Sequence, residues 1–301
     1  MSDLPDLFPG FESRTIRTGG AEIFMRLGGK GPPLLLLHGY PQTHHAWHRF
    51  APELAKHFTL VVADLRGYGQ SLAPASDDDH YAYSKRAMGI DMFEVMDALG
   101  HEHFMVLGHD RGARVAYRMA LDSGERITRL ALLDILPTAV MWQSMSHGLA
   151  MSAYHWTFLA QPFPMPETLI GKAPDYYVDH TLASWALGKD LSAFDETALA
   201  HYRALLASED HRHAACEDYR AGETYDRQAD EENLRAGDKI ACPTLVLWGT
   251  DYVAKRAASP LDVWKDWCVN VTGEAIVSGH FLAEEAPEET LAALIPFLKA
   301  K

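Results

Sequence analysis

The sequence has few cysteines and few basic residues. Its three cysteines, Cys216, Cys242 and Cys268, include no Cys-x-x-Cys pair. Such a sparse, odd-numbered set is typical of reduced thiols in a cytosol rather than of a disulfide framework. Lysine and arginine together number 27 against 41 aspartates and glutamates, which gives a formal charge of −14. Because this acidic charge repels nucleic acid and anionic lipid, we expect neither as a partner.

Long apolar runs and nucleotide-binding motifs are also missing. Apolar runs such as residues 32–37 are far shorter than the about 20 residues that a membrane-spanning helix needs. Residues 1–6 are acidic and lack the basic and apolar regions of a signal peptide. Neither Gly-x-Gly-x-x-Gly nor Gly-x-x-x-x-Gly-Lys occurs. The sequence therefore predicts a cytoplasmic protein without a membrane contact and without a nucleotide cofactor.

What the 301 residues do contain is an alternation of buried strands and amphipathic helices. We predict strands at residues 21–27, 33–38, 58–64, 104–110, 129–134, 244–249 and 274–279, and helices at residues 44–58, 84–99, 111–123 and from 287 onwards. The alternation stops between residues 137 and 230, where aromatic, proline and charged residues are frequent. This pattern predicts an α/β fold with a mostly parallel sheet flanked by helices. Its core would comprise residues 1–136 and 231–301, and residues 137–230 would form an inserted helical cap.

A glycine-flanked aspartate lies where a predicted strand passes into a helix. Gly108 and Gly112 stand two residues before and after Asp110, in the Gly-x-nucleophile-x-Gly form of a sharp strand-to-helix elbow. The nucleophile of such an elbow occupies a strained turn, so both flanking residues must be small. The helix N-terminus at the elbow keeps a carboxylate ionised. The simpler interpretation is an aspartate that only caps the helix.

Two further strand ends favour a nucleophile. His280 follows the last predicted strand, which is where the catalytic histidine of such a fold is expected. Tyr40 follows an earlier strand at the position of an oxyanion loop. The backbone N–H groups of Tyr40 and Arg111 are therefore the predicted oxyanion hole.

Two acids compete to orient His280. Asp134 ends the predicted strand at 129–134, and Asp251 follows the one at 244–249. Both positions suit the third member of a catalytic triad. We favour Asp134, in which case Asp251 is a loop carboxylate.

An aspartate nucleophile restricts the reaction. A carboxylate is suited to displacement at saturated carbon, which leaves an ester on Asp110 that water can hydrolyse. His280, with its tautomer held by Asp134, would activate that water. Substrates need a leaving group on an sp³ carbon, so halides and epoxides are the two obvious classes, and no cofactor is needed.

Three motifs resemble one enzyme family. They are Gly-His-Asp-Arg-Gly-Ala-Arg-Val at 108–115, Tyr-His-Trp at 154–156 and Glu-Asp-Tyr-Arg-Ala-Gly at 217–222. With them the chain resembles, over nearly its whole length, the α/β-hydrolase family of haloalkane dehalogenases, epoxide hydrolases and haloacetate (fluoroacetate) dehalogenases. The resemblance implies an α/β-hydrolase fold with a cap and a homodimer.

Arginines stand near the predicted nucleophile. Haloalkane dehalogenases usually carry tryptophan directly after the nucleophile, whereas this chain has Arg111, with Arg114 three residues further on. Two guanidinium groups on one helix face can hold a carboxylate. The alternative is that both arginines form structural ion pairs. The resemblance implies that Arg111 and Arg114 bind the carboxylate of the substrate.

The cap segment offers donors for a leaving halide. His155, Trp156 and Tyr219 carry imidazole, indole and phenol groups, although on the residues alone simple packing is the default interpretation. The resemblance implies that these three residues bind the halide. Either Tyr154 or Trp185 would form a wall of the pocket, and nothing in the sequence decides between them.

The residues, together with this resemblance, predict a haloacetate dehalogenase that converts a small haloacid, with fluoroacetate favoured, to glycolate and halide. An epoxide hydrolase with the same Asp110, His280 and Asp134 is the alternative, and it would protonate the epoxide with Tyr219 and a second tyrosine such as Tyr154. A non-catalytic ligand receptor on the same fold is a third possibility, although a receptor has no need of all three catalytic residues.

A histidine cluster near the oxyanion loop resembles metal spacing. His44, His45 and His48 lie in the predicted helix at 44–58. We interpret them as an exposed helical face and predict no metal site.

Overall fold

Eight strands form one sheet in the computed structural model, which describes residues 4–251 and 259–300. The strands are β1 (Glu12–Arg17), β2 (Glu22–Gly29), β3 (Pro33–Leu37), β4 (Thr59–Ala63), β5 (Phe104–His109), β6 (Ile127–Leu133), β7 (Thr244–Gly249) and β8 (Val271–Ile276). Their order across the sheet is β1-β2-β4-β3-β5-β6-β7-β8. The pairings of β2 with β1 and β4 are antiparallel, whereas β3 to β8 pair in parallel. The predicted fold class is thus confirmed.

Helices flank this sheet and fill the long connection between β6 and β7. They are α1 (Ala51–Leu54), α2 (Lys85–Ala98), α3 (Asp110–Asp122), α4 (Thr138–Gln143), α5 (His147–Ser152), α6 (His155–Leu159), α7 (Met165–Gly171), α8 (Pro174–Trp185), α9 (Glu196–Ala207), α10 (Glu209–Ala221), α11 (Arg227–Ala236), α12 (Pro260–Trp267), α13 (Leu282–Glu285) and α14 (Pro287–Lys299). Helices α4 to α11 lie in the segment of the predicted cap, and α11 continues past residue 230 to Ala236. No helix within the described ranges is both long enough and apolar enough to cross a bilayer.

The central strands of the sheet are buried on both faces. Leu35 and Leu37 of β3 belong to one apolar cluster, which also includes residues of α2 and α3. Leu34 and Leu36 belong to a second cluster on the opposite face, shared with α1 and α14. Burial of each such leucine side chain contributes about 1.5–3 kcal/mol. The uninterrupted apolar run of β3 is therefore the pattern of a parallel strand covered by helices on both sides.

The prediction of one continuous helix over residues 44–58 is wrong. A short 3₁₀ turn covers His44–Trp47, and α1 begins separately at Ala51. Pro52 lies in the first turn of α1, and because proline has no N–H it cannot continue a helix that began at residue 44. The apolar residues of this segment are nevertheless buried. Their helical spacing therefore predicted the buried face correctly, although it did not predict the break in the helix.

The exposed histidine face predicted for the same segment is also wrong. His44 and His45 are each only 1% exposed. His44 donates its backbone N–H to Asp64 Oδ1 at 2.7 Å, and the ring of His45 stacks on that of His201 at 3.6 Å. Pairing and stacking explain how these polar rings lie inside the protein.

Candidate active site

Asp110 begins α3 immediately after β5, with a backbone φ of +46°. Such an angle is strained for a residue with a side chain. A Cβ atom at Gly108 would lie 2.5 Å from the Cα of Ala113, and one at Gly112 would lie 2.3 Å from the carbonyl oxygen of Leu37. Only glycine fits at either position, which is the requirement that the sequence pattern suggested.

The carboxylate of Asp110 is buried and held at both oxygens. The backbone N–H of Tyr40 donates to Oδ1 at 2.9 Å, and His280 Nε2 lies 3.7 Å from Oδ2. Burial alone would raise the pKa of Asp110, but the interactions with His280, His109 and Arg114 hold that pKa well below its usual value. Asp110 is therefore ionised, with Oδ1 bound by the backbone and Oδ2 facing His280.

His280 lies between two carboxylates. Its Nδ1 atom is 2.6 Å from Asp134 Oδ2, while Asp134 Oδ1 accepts the backbone N–H of Gly249 at 2.9 Å. The other candidate acid, Asp251, lies 3.0 Å from Lys189 Nζ. Burial would lower the pKa of His280, but the interactions with Asp110 and Asp134 outweigh it and raise the pKa to about 9. His280 is thus an imidazolium at neutral pH while Asp110 is charged.

Both predicted carboxylate-binding arginines are buried beside Asp110. Arg111 donates through Nε and Nη2 to the carboxylate of Asp218, at 3.1 and 2.5 Å. Arg114 donates through Nη1 to the carbonyl oxygen of Leu136 and to Thr138 Oγ1, both at 3.0 Å. Arg111 Nη1 and Arg114 Nε remain buried without a hydrogen-bond partner among the described residues. The ion-pair interpretation therefore holds for part of Arg111, but it leaves one N–H group of each arginine unused.

Asp218 carries two cations at once. Besides Arg111 it binds Lys85 Nζ, and the hydroxyl of Tyr68 donates to its Oδ2 at 2.7 Å. Burial would raise the pKa of Asp218, but the charges of Arg111 and Lys85 lower it to about 2. Lys85 Nζ also lies 3.4 Å from Asp226 Oδ2, so two cations and two carboxylates form one buried network that positions Arg111. Sequence reasoning missed both Lys85 and Asp218, although Asp218 is the direct neighbour of Tyr219.

The three predicted halide-binding residues lie together. His155 and Trp156 of α6 and Tyr219 of α10 are all buried. The ring of Tyr219 lies 5.7 Å from that of His155 and 6.2 Å from that of Trp156, centroid to centroid. The guanidinium carbon of Arg111 lies 4.2 Å from the Tyr219 ring centroid, and that of Arg114 lies 4.5 Å from the Trp156 ring centroid. Aromatic donors and arginines therefore form one continuous cluster.

Trp185 joins this cluster to the histidine. Its ring lies 4.3 Å from that of His155 and 5.4 Å from that of His280, whereas Tyr154 is 36% exposed. Between the two residues that the sequence left open as the pocket wall, the structure places Trp185 inside the cluster.

A glutamate missed by sequence reasoning holds the histidine loop. Glu285 Oε2 accepts the backbone N–H groups of Gly279 at 3.0 Å and of Leu187 at 2.7 Å, and Oε1 accepts that of Phe281 at 2.9 Å. The backbone N–H of His280 itself donates to the carbonyl oxygen of Trp185 at 3.0 Å. One carboxylate thus fixes both flanks of His280 and a residue of the connection after α8.

Comparisons with known proteins agree with this architecture. A family model described as the alpha/beta hydrolase fold matches residues 32–287. The chain is 42% identical to a fluoroacetate dehalogenase of Burkholderia sp, over 97% of this chain and 95% of that protein. It is 30% identical to a soluble epoxide hydrolase of Corynebacterium sp. (strain C12), over 89% and 91%. The solved structure of ALR0039 from Nostoc sp PCC 7120 superposes with a TM-score of 0.93 at 49% identity, over 97% and 99%.

Proposed function

The chain belongs to the α/β-hydrolase family of enzymes, and from that premise we propose that it is a haloacetate dehalogenase acting on fluoroacetate. One observation carries the substrate class. Arg111 Nη1 and Arg114 Nε are buried N–H groups without a partner among the described residues, in the cluster around Asp110. Because a buried charged donor is costly to leave unpaired, such a pair is suited to an anionic ligand. A haloacetate supplies that anion one bond from the carbon to be attacked.

In the proposed first step Asp110 displaces the halide. Oδ2 of Asp110 forms a bond to the α-carbon while the carbon–fluorine bond breaks and its electron pair leaves with fluoride. Oδ1 stays with the N–H of Tyr40, 2.9 Å away. His155, Trp156 and Tyr219 would donate hydrogen bonds to the departing fluoride in a water-poor site, where such bonds are strongest. The product of this step is the carboxymethyl ester of Asp110.

In the proposed second step water cleaves the ester. His280 takes a proton from a water that attacks the ester carbonyl carbon of Asp110, and Asp134 stabilises the imidazolium that results. The N–H groups of Tyr40 and Arg111 would stabilise the tetrahedral oxyanion. Collapse of this intermediate breaks the bond between the Asp110 carbonyl carbon and the glycolate oxygen, which takes the proton of the newly added hydroxyl. Glycolate leaves, the carboxylate of Asp110 is restored, and His280 keeps the proton from water and is again an imidazolium. A homodimer and a cytoplasmic location belong to the same proposal.

The alternative hypothesis, an epoxide hydrolase, has less support. A neutral epoxide has no group to pair with two buried guanidinium N–H groups. Tyr154, the second tyrosine considered for epoxide opening, is 36% exposed, whereas Tyr219 is 2% exposed. Because one relative is an epoxide hydrolase, epoxide hydrolysis is the alternative activity that the experiment below includes.

Halide release tests the proposed reaction. Purified protein with fluoroacetate, and without added metal or nucleotide, should release fluoride and an equal amount of glycolate, followed with a fluoride electrode and by chromatography. Chloride from chloroacetate without fluoride from fluoroacetate would keep the reaction and remove the fluoride preference. Diol from styrene oxide without halide from either acid would replace the proposal with an epoxide hydrolase.

Removal of one arginine tests the charge of the substrate. Arg114→Gln should lower kcat/KM for chloroacetate by roughly 100-fold or more, because a buried charge pair is lost. For chloroacetamide, a neutral analogue of the same shape, the loss should be much smaller. Arg118→Gln is the matched control, since Arg118 lies one turn further along α3 and binds Asp230 at 2.8 Å. Equal losses on both substrates would contradict carboxylate binding by Arg114.

A further inference from the structure

Two histidines outside the active site have an unusual environment. The imidazole rings of His44 and His45 lie 4.1 Å apart, centroid to centroid. One nitrogen of each ring has a partner: His44 Nδ1 lies 2.9 Å from Asp64 Oδ2, and His45 Nδ1 lies 3.1 Å from Thr43 Oγ1. The two Nε2 atoms are buried and have no hydrogen-bond partner among the residues that the structure describes. Buried nitrogens without a partner are rare, and each requires an explanation.

A carboxylate reaches the same place. A carboxylate oxygen of Asp6 and one ring nitrogen each of His44 and His45 all lie within 4.8 Å of one another. Asp6 also contacts Arg26 Nη1 at 2.7 Å and accepts the backbone N–H of Phe8 at 3.1 Å. A carboxylate has about four acceptor positions, so these two contacts leave it able to bind a further group. Its side chain is 43% exposed, which gives a route from solvent to the buried rings.

The ring of His44 is oriented by a carboxylate. His44 Nδ1 lies 2.9 Å from Asp64 Oδ2, so an N–H group on Nδ1 can donate to Asp64 and leave the lone pair of Nε2 for a ligand. A carboxylate on the far nitrogen of an imidazole is the arrangement that orients histidines in metal sites.

We propose that Asp6, His44 and His45 bind one divalent transition-metal ion of the Zn²⁺ class. Two imidazoles and one carboxylate suit Zn²⁺, Ni²⁺ or Cu²⁺, whereas Mg²⁺ and Ca²⁺ prefer oxygen ligands. Bonds to Zn²⁺ would draw the ligand atoms to about 3.4 Å from one another. Because the side chain of Asp6 is exposed and both histidines are buried, Asp6 would make most of this movement.

The ion would have a structural role. Asp6 belongs to the N-terminal segment, whose Phe8 ring packs 5.4 Å from that of His44 and whose Pro5 carbonyl oxygen lies 2.8 Å from His201 Nε2. The metal would tie this segment to the turn that follows the predicted oxyanion loop. It lies outside the catalytic cluster, so halide release does not depend on it.

Metal titration of the full chain tests this site. After dialysis against a chelator, the protein should bind one equivalent of Zn²⁺ in a calorimetric titration, and Co²⁺ should give the visible absorption of a four-coordinate site. A saturating excess of Zn²⁺ should raise the Tm by about 5 °C. Asp6→Asn and His45→Gln should each weaken Zn²⁺ binding at least tenfold. Asp6→Asn alters an exposed side chain, so it keeps the test valid if His45→Gln fails to fold.

The exposed His103 provides the control. His103→Gln should leave the stoichiometry, the affinity and the Tm shift unchanged. Zn²⁺ binding that is the same in the wild type, Asp6→Asn and His45→Gln would place the ion on surface histidines and overturn the proposal. The absence of any binding would overturn it as well. Chelation should leave halide release intact, so this test and that of the proposed reaction fail independently.

Discussion

Asp110→Asn should reduce halide release from fluoroacetate by about 10⁴-fold or more. An amide of the same shape is a far weaker nucleophile than the carboxylate, and loss of a covalent nucleophile removes nearly all turnover in comparable enzymes. The buried site and the hydrogen bond from Tyr40 N–H to Oδ1 should tolerate the amide oxygen. Circular dichroism would confirm the fold, and intact mass would confirm that the asparagine has not deamidated.

The same variant should lower the pKa of His280. In the native protein that pKa is raised to about 9 by Asp110 and Asp134 against the opposing effect of burial. Removing the charge of Asp110 destabilises the imidazolium, so the pKa must fall, and NMR titration of the ring measures it. Asp122→Asn, at the far end of α3, should change neither turnover nor this pKa. Substantial turnover by Asp110→Asn would exclude Asp110 as the nucleophile.

The dependence of the His280 pKa on the charge of Asp110 would also set the order of the two proposed steps. Displacement needs no base, and His280 is protonated while Asp110 is charged. Once Asp110 becomes a neutral ester, one of the two charges that hold the proton is gone, so His280 releases this proton to solvent and becomes a base for the attacking water. The nucleophile would thereby switch on the base only when there is an ester to cleave.

His280→Asn should stop the reaction halfway. Displacement would still occur, so the variant should release one equivalent of fluoride in a burst and then halt. The peptide that contains Asp110 should gain the mass of one carboxymethyl group, seen by mass spectrometry after digestion. His103→Asn, a change at an exposed histidine, should turn over normally. A variant at His280 with full turnover, or a burst without a labelled Asp110, would remove the base or the nucleophile from the mechanism.

The sequence predicted those features that depend on short stretches of chain. The elbow around Asp110 is one such feature, because its two glycines lie within five residues and each occupies a position where a Cβ atom would clash. The buried parallel strands are another, since each is a continuous apolar run. β1 was missed because it is an edge strand with five exposed residues and no apolar alternation. β8 spans Val271–Ile276, so each of its ends lies three residues before that of the predicted strand at 274–279. Residues 277–279 instead form the turn that leads to His280.

The remaining site features depend on contacts between distant segments. Lys85 and Asp218 are 133 positions apart, and no local pattern indicates that they share an ion pair. The buried position of His44 depends on Asp64, 20 residues away, and on the N-terminal segment over it. Glu285 lies five residues after His280, but its role appears only when the loop is folded back on it. The role of Arg111 could be proposed from sequence, whereas the division of its N–H groups between Asp218 and a ligand could not.

The contacts of Glu285 bear on how a substrate enters. The residues after α8 and the loop of His280 share one carboxylate, and the backbone N–H of His280 donates to the carbonyl oxygen of Trp185. A hinge motion that lifted the end of α8 would break these hydrogen bonds and withdraw the base from Asp110. Such an open state would be unable to hydrolyse an ester. We therefore expect the end of α8 to stay in place while a substrate enters and the product leaves.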